Sequence, residues 1–201
     1  MRERSNSRPQ PRVEADDALD VELVARVAGR NREALTILYG RYQARLLRFL
    51  HRLTGDLDSA HEAVNDVMLV VWNGADSFAG KSRVSTWIMG IAYRKAMKFR
   101  TRLQRWTVRF KAADWSETIE RTAGIEGPMK ELMEKDLMYR AMQLLPPKQR
   151  AVVELTYFFG FSYDEIADIV DCPANTVKTR MFHARARLRE LLPRLGHDPQ
   201  D

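Results

Sequence analysis

The chain has 201 residues with 33 Lys+Arg against 27 Asp+Glu, a net charge of +6 and a pI near 9.6, so an acidic partner is expected. The lone Cys172 excludes an intramolecular disulfide framework, and four scattered histidines offer no zinc spacing; no metal or cofactor site is expected. No run of eighteen or more apolar residues appears, which argues against a membrane span and for a cytoplasmic protein.

Residues 1–18 carry arginines without a following apolar core, so they read as a disordered arm and not as a secretory signal. A short helix is expected from Leu19 to Ala28, ending at Gly29, with Asn31 capping the next. That next helix is long, because Leu35, Leu38, Tyr39, Tyr42, Leu46, Phe49, Leu50 and Leu53 follow the helical period until Thr54 and Gly55. Asp56 and Asp58 favour another start, and Ala60, Ala63, Val64, Val67 and Val71 supply its buried stripe, ending beside Trp72. Its other face holds Glu62, Asn65 and Asp66 within one turn. No histidine, third carboxylate or glycine-rich loop accompanies them, so a solvated face or a docking surface for a basic partner is favoured over catalysis.

Between Asp76 and Asp114 there is no acid, while ten Lys/Arg occur. If Ser85 onward is helical, Arg94, Lys98, Arg102, Arg105 and Arg109 form one stripe, backed by Val84, Trp87, Ile88, Ile91 and Ala92. Like charges at that spacing oppose the helix by a few tenths of a kcal/mol per pair, roughly, and a bound phosphate backbone would relieve them. The preceding loop, Ser77 to Arg83, joins Phe78, Gly80, Lys81, Ser82 and Arg83, a combination suited to single-stranded DNA. Trp87, Tyr93 and Trp106 could add stacking surfaces, although each is individually better explained as core. An interfacial helix on anionic lipid is the competing account of the same basic face.

Residues 112–128 are acidic and broken by Gly124, Gly127 and Pro128, which reads as a linker. Beyond it a helix from Met129 to Leu145 is expected on Leu132, Met133, Leu137, Ala141 and Leu144, then a corner at Pro146 and Pro147, and a helix from Lys148 to Phe158. Ser162 and Glu165 are spaced as a capping box; Ile166, Ile169 and Val170 share a face, and a second helix begins near Pro173. Its stripe Val177, Met181, Ala184 and Leu188 leaves Asn175, Lys178, Thr179, Phe182, His183 and Arg185 pointing mostly elsewhere. That plan is a helix-turn-helix, and six Lys/Arg against Glu190 between Cys172 and Gly196 tilt it from a plain amphipathic hairpin towards DNA. The fold expected is all-α: two small helical domains, 19–111 and 129–194, joined by a flexible linker, with a tail at 195–201.

Three blocks resemble the extracytoplasmic-function (ECF) sigma factors, the small bacterial RNA polymerase specificity subunits. They are the Asp58 to Trp72 helix, the Phe78 to Arg94 stretch with STWIMGIAYRKA, and the block from LPPKQRAVVELTYFFGFSYDEIADIV to HARARL. The resemblance implies that Glu62, Asn65 and Asp66 dock on the beta-prime clamp helices of the polymerase core, which also includes the beta subunit. It implies −10 promoter contacts from Phe78, Gly80, Lys81, Ser82, Arg83, Arg94, Lys98 and Arg102, with a flipped base held by the loop. The −35 contacts would come from Asn175, Thr176, Lys178, Thr179, Arg180, Phe182, His183 and Arg185. The acidic linker would pass through the RNA channel, and an anti-sigma factor, often membrane-bound, would regulate the protein. Ala79, Lys81, Asn175 and His183 depart from frequent family residues. No catalytic residue and no small-molecule substrate are implied. The rivals are an autonomous helix-turn-helix regulator acting without polymerase, and a DNA-processing enzyme, for which no nucleophile or carboxylate triad is found near the basic surface.

Overall fold

The computed structural model describes residues 11–110 and 137–196, with side chains for 17–101 and 137–195. Every regular element among them is a helix. The expected linker at 112–128, the residues from Met129 to Asp136, and the side chains of Arg102, Arg105, Trp106 and Arg109 lie outside the described residues.

Helix α1 spans Pro11–Ala28. It begins within the stretch expected as an arm, with proline in the first turn, where its missing N–H costs no hydrogen bond. Helix α2, Arg32–Thr54, is bounded as expected: Asn31 Oδ1 accepts from Ala34 N at 2.9 Å, and Gly55 turns left-handed at φ 79° while donating to His51 O. Asp56 caps α3, Leu57–Gly74, by accepting from Ser59 N at 2.7 Å. A 3₁₀ turn at Ala75–Ser77 and a loop with Gly80 at φ 67° lead to α4, Val84–Phe110. The start of α4 is held by a distant group: Asp17 Oδ1 on α1 accepts from Val84 N at 3.2 Å.

Helix α5, Leu137–Gln143, stops before the expected Leu145. Leu144 N and Leu145 N donate to the carbonyls three residues back, a tightened turn that leaves Leu144 exposed and Leu145 buried ahead of the Pro146 corner. Leu144 is therefore not the core residue its spacing suggested. Helix α6 spans Pro147–Tyr157 with proline at its start. The capping box is complete on α7, Tyr163–Val170: Ser162 Oγ accepts from Glu165 N, and Glu165 Oε2 accepts from Ser162 N at 2.9 Å. Asp171, left-handed at φ 49°, ends α7, and the Pro173 carbonyl opens α8, Ala174–Gly196, by accepting from Thr176 N and Val177 N.

Helices α1 to α4 form the N-terminal domain and α5 to α8 the C-terminal one, but one hydrophobic core runs through both. Helix α7 crosses α4 so closely at Gly90 that a Cβ there would lie 3.7 and 3.8 Å from the Ile169 backbone. Phe49 meets Phe159 edge to face at 5.6 Å, and the His51 and Tyr139 rings lie nearly parallel at 6.4 Å. Tyr93 is buried, as core rather than as a stacking surface.

Candidate nucleic-acid and protein-docking interfaces

Burying Ala60, Val64, Val67, Met68 and Val71 turns the opposite side of α3 outward. Glu62, Asn65 and Asp66 are therefore exposed together, as their spacing suggested. Their neighbours orient them: Tyr39 Oη donates to Asn65 Oδ1 at 3.1 Å, and Lys95 Nζ donates to Asp66 Oδ2 at 2.9 Å. Leu69 and Val70, exposed one turn further on, add apolar area that the acidic pattern did not announce. A charged patch bordered by aliphatic side chains is suited to a protein partner.

The loop before α4 presents Gly80 and Lys81 to solvent, whereas Phe78 is half-buried with its ring 5.2 Å from that of Trp87. Arg83 is engaged rather than free: its Nη1 lies 3.2 Å from Glu165 Oε1, the capping-box carboxylate of α7. Ser82 Oγ donates locally to the Arg83 carbonyl. Along α4 the residues sort by direction. Arg94 and Lys98 are exposed, while Arg100 donates to Leu53 O at 2.8 Å and Lys95 turns to Asp66. The exposed cations match the stripe expected, and the other two hold α4 against α2 and α3.

On α8 the buried stripe Val177, Met181, Ala184 and Leu188 sets the outward face. Asn175, Lys178, Thr179, Phe182 and His183 are exposed, Phe182 to 70 %. Thr179 Oγ1 donates back to Asn175 O, and the Phe182 and His183 rings sit 5.6 Å apart. Thr176 is half-buried. Two arginines are turned to protein. Arg185 Nε donates to Tyr157 Oη at 3.1 Å, and Arg180 is half-buried beside Tyr93, whose pKa burial raises and the Arg180 charge lowers. So five of the eight residues expected on the reading face share one exposed surface, Arg185 is exposed beside them but tied to Tyr157, and Arg180 points into the domain junction.

That junction holds a polar cluster that periodicity could not reveal. Arg52 Nη1 lies 3.2 Å from each carboxylate oxygen of Glu154, and its guanidinium stacks 4.0 Å over the Phe158 ring. Arg150 Nη1 donates to Arg52 O at 3.0 Å and to Gln143 Oε1 at 2.5 Å, and Nη2 donates to Gln143 O. Burial pushes the Arg150 guanidinium down to about 10, helped by Arg100, and raises Glu154 against the pull of Arg52. Both shifts mean that desolvation outweighs pairing here.

Two family models match the chain, Sigma-70 region 2 over residues 38–107 and Sigma-70 region 4 over residues 135–188. The RNA polymerase sigma-H factor of Pseudomonas aeruginosa is 27 % identical over 180 residues, covering 86 % of this chain and 93 % of that protein. The ECF RNA polymerase sigma-E factor of Escherichia coli K12 is 28 % identical over 183 residues, covering 85 % and 93 %. Among solved structures, CnrH in complex with the cytosolic domain of CnrY superposes with a TM-score of 0.66 at 22 % identity over 87 % of this chain and 97 % of that one. The sigma factor RpoE of Bartonella quintana, in complex with the anti-sigma factor NepR, gives 0.59 at 24 % identity over 81 % and 96 %. The first match runs from within α2 to near the end of α4, with the acidic patch and basic helix, and the second spans α5 to most of α8, with the helix-turn-helix; the chain belongs to the sigma-70 family of RNA polymerase sigma factors, in its ECF group.

Proposed function

We propose that the protein is a promoter-recognition subunit that binds bacterial RNA polymerase core and directs it to a set of promoters, with the chemistry left to the polymerase. The observation that carries this reading is the pairing, on one chain, of an exposed acidic patch on α3 with two separate basic surfaces, α4 and α8. An autonomous DNA-binding protein would not need Glu62, Asn65 and Asp66, whereas a polymerase subunit gives them a docking role.

Glu62, Asn65 and Asp66 dock on the beta-prime clamp helices, with Leu69 and Val70 enlarging the contact. Gly80, Lys81, Arg94, Lys98 and Arg102, with Phe78, Ser82 and Arg83, engage the −10 element and its melted strand. Asn175, Lys178, Thr179, Phe182 and His183 enter the major groove at the −35 element, and Thr176, Arg180 and Arg185 support them or reach phosphates. The segment 112–128 joins a polymerase-binding domain at 19–111 to a domain at 129–194. An anti-sigma factor is the expected negative regulator, as relatives of similar fold occur in such complexes. The described helices include none long and apolar enough to cross a membrane, so attachment to the cytoplasmic membrane would come through that partner.

Run-off transcription with purified core polymerase and genomic fragments tests the proposal. New start sites that appear only with the protein, preceded by two spaced motifs, are expected. Absence of such start sites with folded protein and active core contradicts it.

A further inference from the structure

The end of α6 divides two aromatic side chains between two neighbours. Phe158 lies under the Arg52 guanidinium, while Tyr157, the last residue of the helix, meets Arg185 of α8. Tyr157 is 57 % exposed and lies outside the helix-turn-helix itself. Resting on the promoter-recognition reading, we propose that Tyr157 is a DNA-contacting residue, its hydroxyl and the Arg185 guanidinium together forming a clamp for one backbone phosphate at the rim of the −35 element.

The bonding pattern holds the arginine without neutralising it. Arg185 Nε and Nη2 both donate to Tyr157 Oη, Nε at 3.1 Å. The guanidinium carbon is 5.7 Å from the Tyr157 ring centroid, against 4.0 Å for Arg52 over Phe158, so it sits at the hydroxyl end of the ring. Arg185 has no carboxylate partner among the described residues. A carboxylate would fasten α6 to α8 equally well, but it would cancel the charge; a phenol fixes the fork and leaves the charge in place. The rest of the guanidinium N–H donors, on Nη1 and Nη2, are left for another acceptor. With its lone pairs accepting from Arg185, the Tyr157 hydroxyl donates outward, and the adjacent cation polarises that O–H. A cationic fork and a hydroxyl donating from one exposed point suit a phosphate oxygen.

The clamp also lies where a phosphate would run. Lys178, Phe182, Arg185 and Arg189 recur at intervals of four, three and four, and all are exposed along one stripe of α8. Arg185 is about 10 Å along the axis from Lys178, at about 1.5 Å per residue. The major groove is about 12 Å wide and about 8.5 Å deep, so its rim lies about 10 Å from the middle of its floor. With the N-terminal end of the recognition helix at the base edges, Arg185 and Tyr157 come level with the bordering strand.

The test uses holoenzyme and a promoter fragment taken from the run-off start sites, with wild type, Tyr157→Phe, Arg185→Ala and the double variant. Each single variant should weaken binding several-fold, and by the same factor on fragments with altered −35 bases, because a phosphate contact carries no base information. Arg185→Ala should also lower the slope of log affinity against log salt by about 0.9. The double variant should bind little worse than Arg185→Ala alone, since both groups serve one phosphate. A tie that only fastens α6 to α8 would lower the melting temperature of Tyr157→Phe and leave its holoenzyme affinity unchanged, which overturns the clamp. A loss that varies with base sequence, or that adds in full in the double variant, overturns it too. If wild-type holoenzyme yields no start site or binds no fragment, the promoter reading fails and the clamp with it; intact wild-type binding with indifferent variants removes the clamp alone.

Discussion

Lys95 Nζ donates to Asp66 Oδ2 at 2.9 Å, tying the basic helix α4 to the acidic face of α3. Both side chains are partly exposed, so the pair orders the patch more than it stabilises the fold. Reversing charge with Glu62→Lys and Asp66→Lys should weaken binding to core polymerase more than tenfold, above about 1.4 kcal/mol, with an unchanged circular dichroism spectrum. Fluorescence titration with labelled core measures it, and retained affinity would remove the docking role.

Arg94 and Lys98 are the exposed cations on the described part of α4 that are expected to meet phosphates. Their joint replacement by alanine should lower the slope of log affinity against log salt by about 1.4 for single-stranded contacts, or about 1.8 for duplex contacts. Holoenzyme binding to a promoter across a salt series gives the slope. An unchanged slope would place the DNA elsewhere.

Lys178 and His183 share the outward face of α8. Lys178→Ala or His183→Ala should change preference at the upstream element alone, by about 1–3 kcal/mol per affected base pair. Selection from a randomised promoter library reads both elements at once, and a change confined to the −10 element would contradict the placement of this helix.

Asp17 caps α4 from α1 by accepting from Val84 N. Asp17→Ala should cost about 1 kcal/mol. Thermal unfolding should fall by about 2–4 °C in a protein of this size, and no change would show the bond to be idle.

His51, near the end of α2, is buried with its ring against that of Tyr139, and burial lowers its pKa below the ordinary 6.5, with Asp56 opposing the effect and Arg52 adding to it. Above pH 6.5 the imidazole is neutral folded or unfolded. As the pH falls below 6.5 the unfolded chain takes the proton first, so stability present above that value is lost through the lowered folded pKa. Glu154 works in the other direction: its pKa is raised above 4.5, so its burial cost at neutral pH is relieved as the carboxylate protonates. His51→Phe keeps the stacking and should flatten the loss of stability just below pH 6.5. Chemical denaturation at a series of pH values measures this, and parallel curves for the two proteins would exclude His51 as the source.

The features readable in the sequence are those made within one helical turn. Asn31, Asp56 and Ser162 cap the residue three positions on, and Gly55 ends α2 where the apolar period stops. The exposed sets on α3 and α8 follow from periodicity in the same way. The cap on α4 comes from 67 residues away and the Arg52–Glu154 pair joins positions 102 apart, so no local pattern encodes them. Leu144 misleads because the apolar spacing continues past Gln143 while the backbone tightens ahead of Pro146. Arg83 was legible as a cation in an acid-free stretch, but its partner Glu165 was legible only as a cap. One carboxylate serves both ends, and only the packing of α7 on α4 brings them together.

Promoter recognition is expected of the complex with polymerase core and not of the free protein. The most direct measurement is binding of a labelled promoter fragment to this protein alone and with core, at fixed salt. Tight, specific binding only when core is present is the result predicted here. Equal occupancy by the free protein at nanomolar concentration would instead identify an autonomous helix-turn-helix regulator and contradict the account.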